Sequence, residues 1–172
     1  MAKLVYDLFN YTSFPSSIKL LNDEDRTRGW WVIFKNVPVT PGSTVKAEIM
    51  GKSDNIPVPH VSGGASVGSY LSVGGSADGV NYRYLDFVVP RQTLYGKMDW
   101  TKHSYEMEIP PDVNFIRGQL VAAKGLTWFD DLKIYQDGVL IYKNPFNNWG
   151  PYISIPAPIV AGLGVIRFGK KG

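Results

Sequence analysis

Apolar and polar residues alternate along most of this chain in short runs separated by Gly, Pro, Asn and Asp. Alternation with period two is what a strand with one buried face requires. The pattern predicts strands over residues 3–9, 30–37, 44–50, 69–73, 80–89, 100–109, 114–122 and 125–135. Val45, Ala47 and Ile49 share one face of their run, and Tyr105, Met107 and Ile109 alternate with Glu106 and Glu108 in theirs. Over 80–89, Tyr82, Tyr84 and Asp86 face one way and Arg83, Leu85 and Phe87 the other. Pro41-Gly42 supplies a turn, and Asp137-Gly138 a hairpin whose return strand is 139–142. Loops are expected over 10–17, 22–29 and 52–68, the last long enough to have a partner.

About eight strands over about 135 residues is the count of a two-sheet sandwich. The expected fold is therefore all-β, a two-sheet antiparallel jelly-roll sandwich over residues 1–143 with a C-terminal extension over 144–172. That extension is apolar and broken by Pro145, Pro151, Pro156 and Pro158, as an arm lying on a surface would be. Trp149, Tyr152, Ile155, Ile159, Val165 and Phe168 are its candidate contacts, either with a neighbouring molecule or with its own sandwich.

Residues 125–135 stand out because an acidic pair, Asp130-Asp131, interrupts an otherwise apolar alternation. On a regular strand Trp128 would share a face with Asp130, and Phe129 with Asp131. A carboxylate placed there costs stability unless an ion, backbone N–H groups, water or a neighbouring chain meets it. Adjacent strand residues point to opposite faces, so this pair cannot flank one glycosidic bond as acid and base.

Composition narrows the function classes. Aromatics at 13%, with Tyr 10 and Trp 5, suit a pleated surface. A net charge of +3 with dispersed Lys and Arg argues against nucleic acid. The absence of Cys removes disulfides, thiolate metal sites and a cysteine nucleophile. No run is long and apolar enough for membrane insertion and the first residues show no signal peptide, so synthesis in the cytoplasm is expected. His60 and His103 sit in no metal-ligand spacing and beside no serine nucleophile motif. The glycine-rich stretch from Gly74 to Gly79 lacks the lysine and helix of a phosphate loop, and reads as a hairpin. No enzyme activity is expected.

Three stretches carry a family resemblance: Val39-Thr40-Pro41-Gly42-Ser43-Thr44-Val45, Asp99-Trp100-Thr101-Lys102-His103-Ser104-Tyr105, and Gly125 through Trp128-Phe129-Asp130-Asp131 to Tyr135. In order and spacing they resemble the jelly-roll carbohydrate-binding modules of the galactose-binding-like sandwich superfamily, over about residues 29–135. The resemblance implies a structural calcium held by Asp130 or Asp131 with an acidic residue near the amino end, for which Asp7 is the candidate. Asn10-Tyr11 stands where the family has its acid, and a carboxylate hydrogen-bonded to loop N–H groups is the alternative. It also implies glycan contact through exposed aromatic rings: Trp30, Tyr82 and Tyr84, with Arg83 or Asn81 beside them. The competing reading puts Trp30 or Trp31 in the core and the tyrosines on a sheet edge. Trp100 and Trp128 match packing positions and are assigned to the core.

Two functions are then expected. One is a non-catalytic surface or assembly protein, such as a virion decoration protein, that binds copies of itself or a shell protein and retains adhesion to a polysaccharide. The other is the carbohydrate-binding module of a secreted glycoside hydrolase or adhesin.

Overall fold

The computed structural model describes residues 2–13, 16–23, 29–57 and 68–146, without the side chains of Gln92 and Thr93. These residues form ten strands: β1 (Lys3–Asp7), β2 (Ser17–Asn22), β3 (Gly29–Pro38), β4 (Thr44–Ile56), β5 (Ser69–Ser76), β6 (Arg83–Leu94), β7 (Gly96–Glu108), β8 (Phe115–Ala122), β9 (Gly125–Gln136) and β10 (Val139–Asn144). Two antiparallel sheets result, one in the order β1-β2-β9-β4-β7 with β10 also on β9, the other β3-β8-β5-β6. The fold is the expected all-β jelly-roll sandwich.

Inward residues of both sheets build one core. Ile18, Leu20, Val45, Ala47, Ile49, Phe129, Leu132 and Ile134 come from the larger sheet, and Ile33, Leu71, Val73, Phe87, Ile116 and Leu120 from the smaller. Phe146, beyond β10, is also fully buried, so the sandwich extends past residue 143. The candidate contacts Trp149, Tyr152, Ile155, Ile159, Val165 and Phe168 lie outside the described residues.

Several expectations are corrected. Ser17–Asn22 forms a strand that the pattern did not reveal, because only Ile18 and Leu20 mark its buried face before Leu21 blurs the period. β4 continues to Ile56, taking residues from the expected loop. β6 starts at Arg83 rather than Val80, because Asp78 ties down the turn before it. Its carboxylate accepts the N–H groups of Val80 at 2.9 Å and Asn81 at 2.8 Å and the Ser76 hydroxyl at 2.8 Å. Those bonds, the Asn81 and Val80 amides foremost, hold the Asp78 carboxyl far below the usual range.

Strict alternation also fails inside β9. Asp130 pairs with Met50 and Lys133 with Glu48, which leaves two β9 residues opposite one of β4. Asp131 occupies this bulge with φ +47°. The bulge resets the phase, so Phe129 is buried in the core while the Asp131 carboxylate is 35% exposed on Lys133. Phe129 and Asp131 therefore do not share a face.

Two tryptophans leave the core where they had been expected. Trp100 is only half-buried on edge strand β7. Trp128 is buried, but on the outer face of the larger sheet, between its register partners Lys19 and Lys52. Their ammonium groups lie 5.0 and 5.4 Å from the ring centroid. Trp31 fills the core position.

Candidate functional site

The outer face of the smaller sheet is built by alternate residues of four strands. Trp30, Val121 and Tyr70 stand in one register row, and Val32, Gln119, Ser72 and Val88 in the next. Tyr84, Gly74 and Arg117 form a further row towards the other end. Tyr70, Val88 and Val121 pack into a small buried cluster of their own. Ser72 beside it is buried too, and the exposed rings stand at the corners of the face, Trp30 53% and Tyr84 66% exposed. These rings occupy opposite corners, three strand spacings and four residues apart, or about 20 Å along the diagonal.

Of the predicted glycan contacts, Trp30 and Tyr84 share this face. Trp30 is exposed and Trp31 buried, which places Trp31 rather than Trp30 in the core. The Tyr84 hydroxyl lies 3.4 Å from Asp86, and burial followed by the Asp86 charge raises its pKa. Asp86 is gripped by Arg91 through two bonds of 2.7 and 3.0 Å, which lower its pKa. Arg91 in turn covers the Tyr105 ring at 4.8 Å, closing the side where the sheets end in β6 and β7.

Tyr82 and Arg83 are each held by other side chains. The Tyr82 hydroxyl donates to the Asn36 side-chain oxygen at 2.5 Å and accepts the Asn36 N–H at 3.0 Å. Its ring lies under the Arg117 guanidinium at 4.7 Å. Arg83 makes an exposed ion pair with Asp112 at 2.7 Å. Asn81, beside them, donates its side-chain amide to Asp78. Arg117 and Gly74 escape a sequence reading, because only the pairing of β5 with β6 and β8 brings them beside Tyr84.

The acids proposed for calcium lie apart from this face, on the larger sheet. Asp130 is fully buried, and its carboxylate accepts the N–H groups of Thr12 (2.6 Å), Ser13 (2.7 Å) and Asp131 (2.7 Å). The hydroxyls of Thr12 and Ser13 complete the set. Asp131 faces Lys133 at 2.7 Å. Asp7 accepts the N–H groups of Phe9 (2.8 Å) and Asn10 (3.1 Å), the Asn10 amide (3.2 Å) and the Trp128 indole (2.8 Å). Burial pushes the Asp7 carboxyl up, but the Trp128, Phe9 and Asn10 bonds outweigh it and the net shift is downward. Among the described residues no group of three or more His, Asp or Glu side chains is gathered as a metal site. N–H and O–H donors occupy the lone pairs that a cation would need, so these residues do not fit calcium as they stand.

His103 is half-buried on β7 without a partner for Nε2, and burial lowers its pKa. His60 lies outside the described residues.

No family model matches the chain, and no curated protein does. Among solved structures, it superposes on the CBM22-1–GH10 modules of Clostridium thermocellum endo-1,4-β-D-xylanase 10B, complexed with xylohexaose, with TM-score 0.51 and 15% identity. This chain has the fold of a jelly-roll carbohydrate-binding module. The match covers 82% of this chain and 25% of that one. The enzymatically active domain of tailspike protein 4 from bacteriophage CBA120 matches with TM-score 0.53 and 10% identity, over 79% of this chain and 18% of that one. The C-terminal family 22 carbohydrate-binding module of the same xylanase matches at TM-score 0.48 and 16% identity, over 82% and 84% of the two chains. The chain thus spans about a quarter and about a fifth of the first two structures. At these identities the likeness is one of fold.

Proposed function

We propose that this chain is a non-catalytic glycan-binding sandwich, acting as a surface or assembly component, which holds a polysaccharide across the outer face of β3, β8, β5 and β6. The observation that carries this reading is the exposure of Trp30 and Tyr84 at opposite corners of one sheet face, with the half-buried Gln119 and Arg117 between them. Aromatic rings cover the C–H face of a pyranose, and amide, hydroxyl and guanidinium groups meet its hydroxyls. The diagonal of about 20 Å suits several sugars of an extended chain better than a single monosaccharide. Among the described residues Asp86, on edge strand β6, is the acid beside Tyr84, and it is paired to Arg91.

A glycan array with the unaltered chain, Trp30→Ala and Tyr84→Ala tests it. Each substitution should weaken binding by about tenfold or more, or about 1.4 kcal/mol. Binding to no polysaccharide, or binding indifferent to both changes, rejects the reading.

The setting is a separate part of the proposal. Likeness to a bacteriophage tailspike domain favours a particle surface, with a shell protein or further copies as partner. Likeness to xylanase modules favours the alternative, a binding module within a larger secreted enzyme. Light scattering before and after removal of residues 147–172 separates the two. Loss of an oligomer on removal supports assembly through that segment, and a monomer throughout counts against it.

A further inference from the structure

We propose that the notch over Gly74, between Tyr84 and Arg117, is a subsite for a carboxylate-bearing sugar, a uronic acid residue within a polysaccharide. The inference rests on the glycan-binding reading of this face and adds the chemical class of the ligand.

Tyr84, Gly74 and Arg117 are register partners on β6, β5 and β8. The two outer strands are therefore about 10 Å apart, with no side chain on the strand between them. Leu85 and Val73 point into the core, as do Ile116 and Leu120, so all three notch residues face outward. A Cβ on Gly74 would lie 3.0 Å from the Arg83 carbonyl oxygen and 3.7 Å from Arg117 Nε. The Arg117 side chain thus leans over the Gly74 backbone, on the side facing the exposed Tyr84 ring.

Charge distinguishes Arg117 from its neighbours. Arg83 is paired with Asp112 and Arg91 with Asp86. Arg117 has no acid or hydrogen-bond acceptor among the described residues, and its Nε is buried without a partner. Its one contact of note is the Tyr82 ring, itself fixed by two hydrogen bonds with Asn36. Stacking on a held ring orients the guanidinium without neutralising it. Lys35, exposed in the β3 irregularity next to Asn36, adds positive charge nearby. A planar fork of unpaired donors beside an exposed aromatic ring matches a carboxylate carried on a sugar ring, which takes two parallel bonds from Arg117 while its ring faces Tyr84. A neutral sugar leaves the charge uncompensated.

The test compares binding of the full chain to polygalacturonate, to its fully methyl-esterified form, to a neutral xylan and to dextran sulfate. Polygalacturonate should bind at least tenfold more tightly than its ester, and Arg117→Gln should remove that advantage while Arg117→Lys keeps part of it. Equal binding to acid and ester, an advantage unchanged in Arg117→Gln, or a preference for dextran sulfate over polygalacturonate overturns the proposal. If Arg117→Gln does not fold, the acid-to-ester comparison on the unaltered protein decides. Binding of the neutral xylan with no gain from the carboxylate rejects this inference alone, whereas binding of none of the four polymers rejects the glycan reading with it.

Discussion

The indole Nε1 of Trp128 donates a 2.8 Å hydrogen bond to the Asp7 carboxylate, tying β9 to β1 across the intervening strand β2. Lys19 and Lys52 flank that indole from the neighbouring strands, so a tryptophan outside the core is nevertheless buried. The outer face of the larger sheet is held by this clasp and by the loop that Asp130 gathers.

Asp7→Ala leaves the buried Trp128 N–H without an acceptor and releases the Phe9 and Asn10 amides. A loss of about 2–3 kcal/mol is expected in urea unfolding. The folded-state pKa of Asp7 is depressed, so its stabilisation is full above the unfolded carboxyl value and is lost as pH falls through the folded one. The difference between the unaltered chain and Asp7→Ala should therefore shrink on acidification below about pH 4. A difference that grows there would contradict the assignment.

Asp130 makes five hydrogen bonds in a fully buried position, and we expect it to act as a hydrogen-bonded corner rather than a calcium ligand. Asp130→Ala should cost about 3 kcal/mol or more, because several donors lose their acceptor together. The melting temperature should be the same in chelator and in millimolar calcium. A calcium-dependent rise of several degrees would restore the ion to this site.

Gly118 lies against the Phe34 ring so closely that a Cβ would fall 2.1 Å from Cε1. Gly118→Ala should therefore displace a core ring and destabilise by about 3 kcal/mol. Unchanged stability by thermal unfolding would mean that Phe34 has room to move.

Arg83 was a candidate glycan contact on sequence grounds, and its pair with Asp112 is exposed at both ends, 52% and 63%. Arg83→Ala should change stability by less than about 0.5 kcal/mol and leave polysaccharide affinity unaltered. A tenfold loss of affinity would return Arg83 to the site.

Period-two alternation in 44–50, 100–109 and 114–122, together with Pro41-Gly42 and Asp137-Gly138, was enough for an all-β sandwich. These signals are local: a buried face forces alternation on each strand by itself, whichever strand lies beside it. Trp30 and Tyr84 entered as candidate contacts through the family resemblance, and both rings are exposed on one sheet face. Non-local pairing decided the rest. The β9 bulge at Asp131 turned one carboxylate towards Lys133 and left the other under the Thr12-Ser13 loop, more than a hundred residues away in sequence. Tyr82 went to Asn36, Arg83 to Asp112, and Arg117 came to stand across Gly74 from Tyr84 only when β8, β5 and β6 assembled side by side. Strand identity is written in neighbouring residues, whereas strand register sets which side chains meet, and register is chosen by the packed sandwich as a whole.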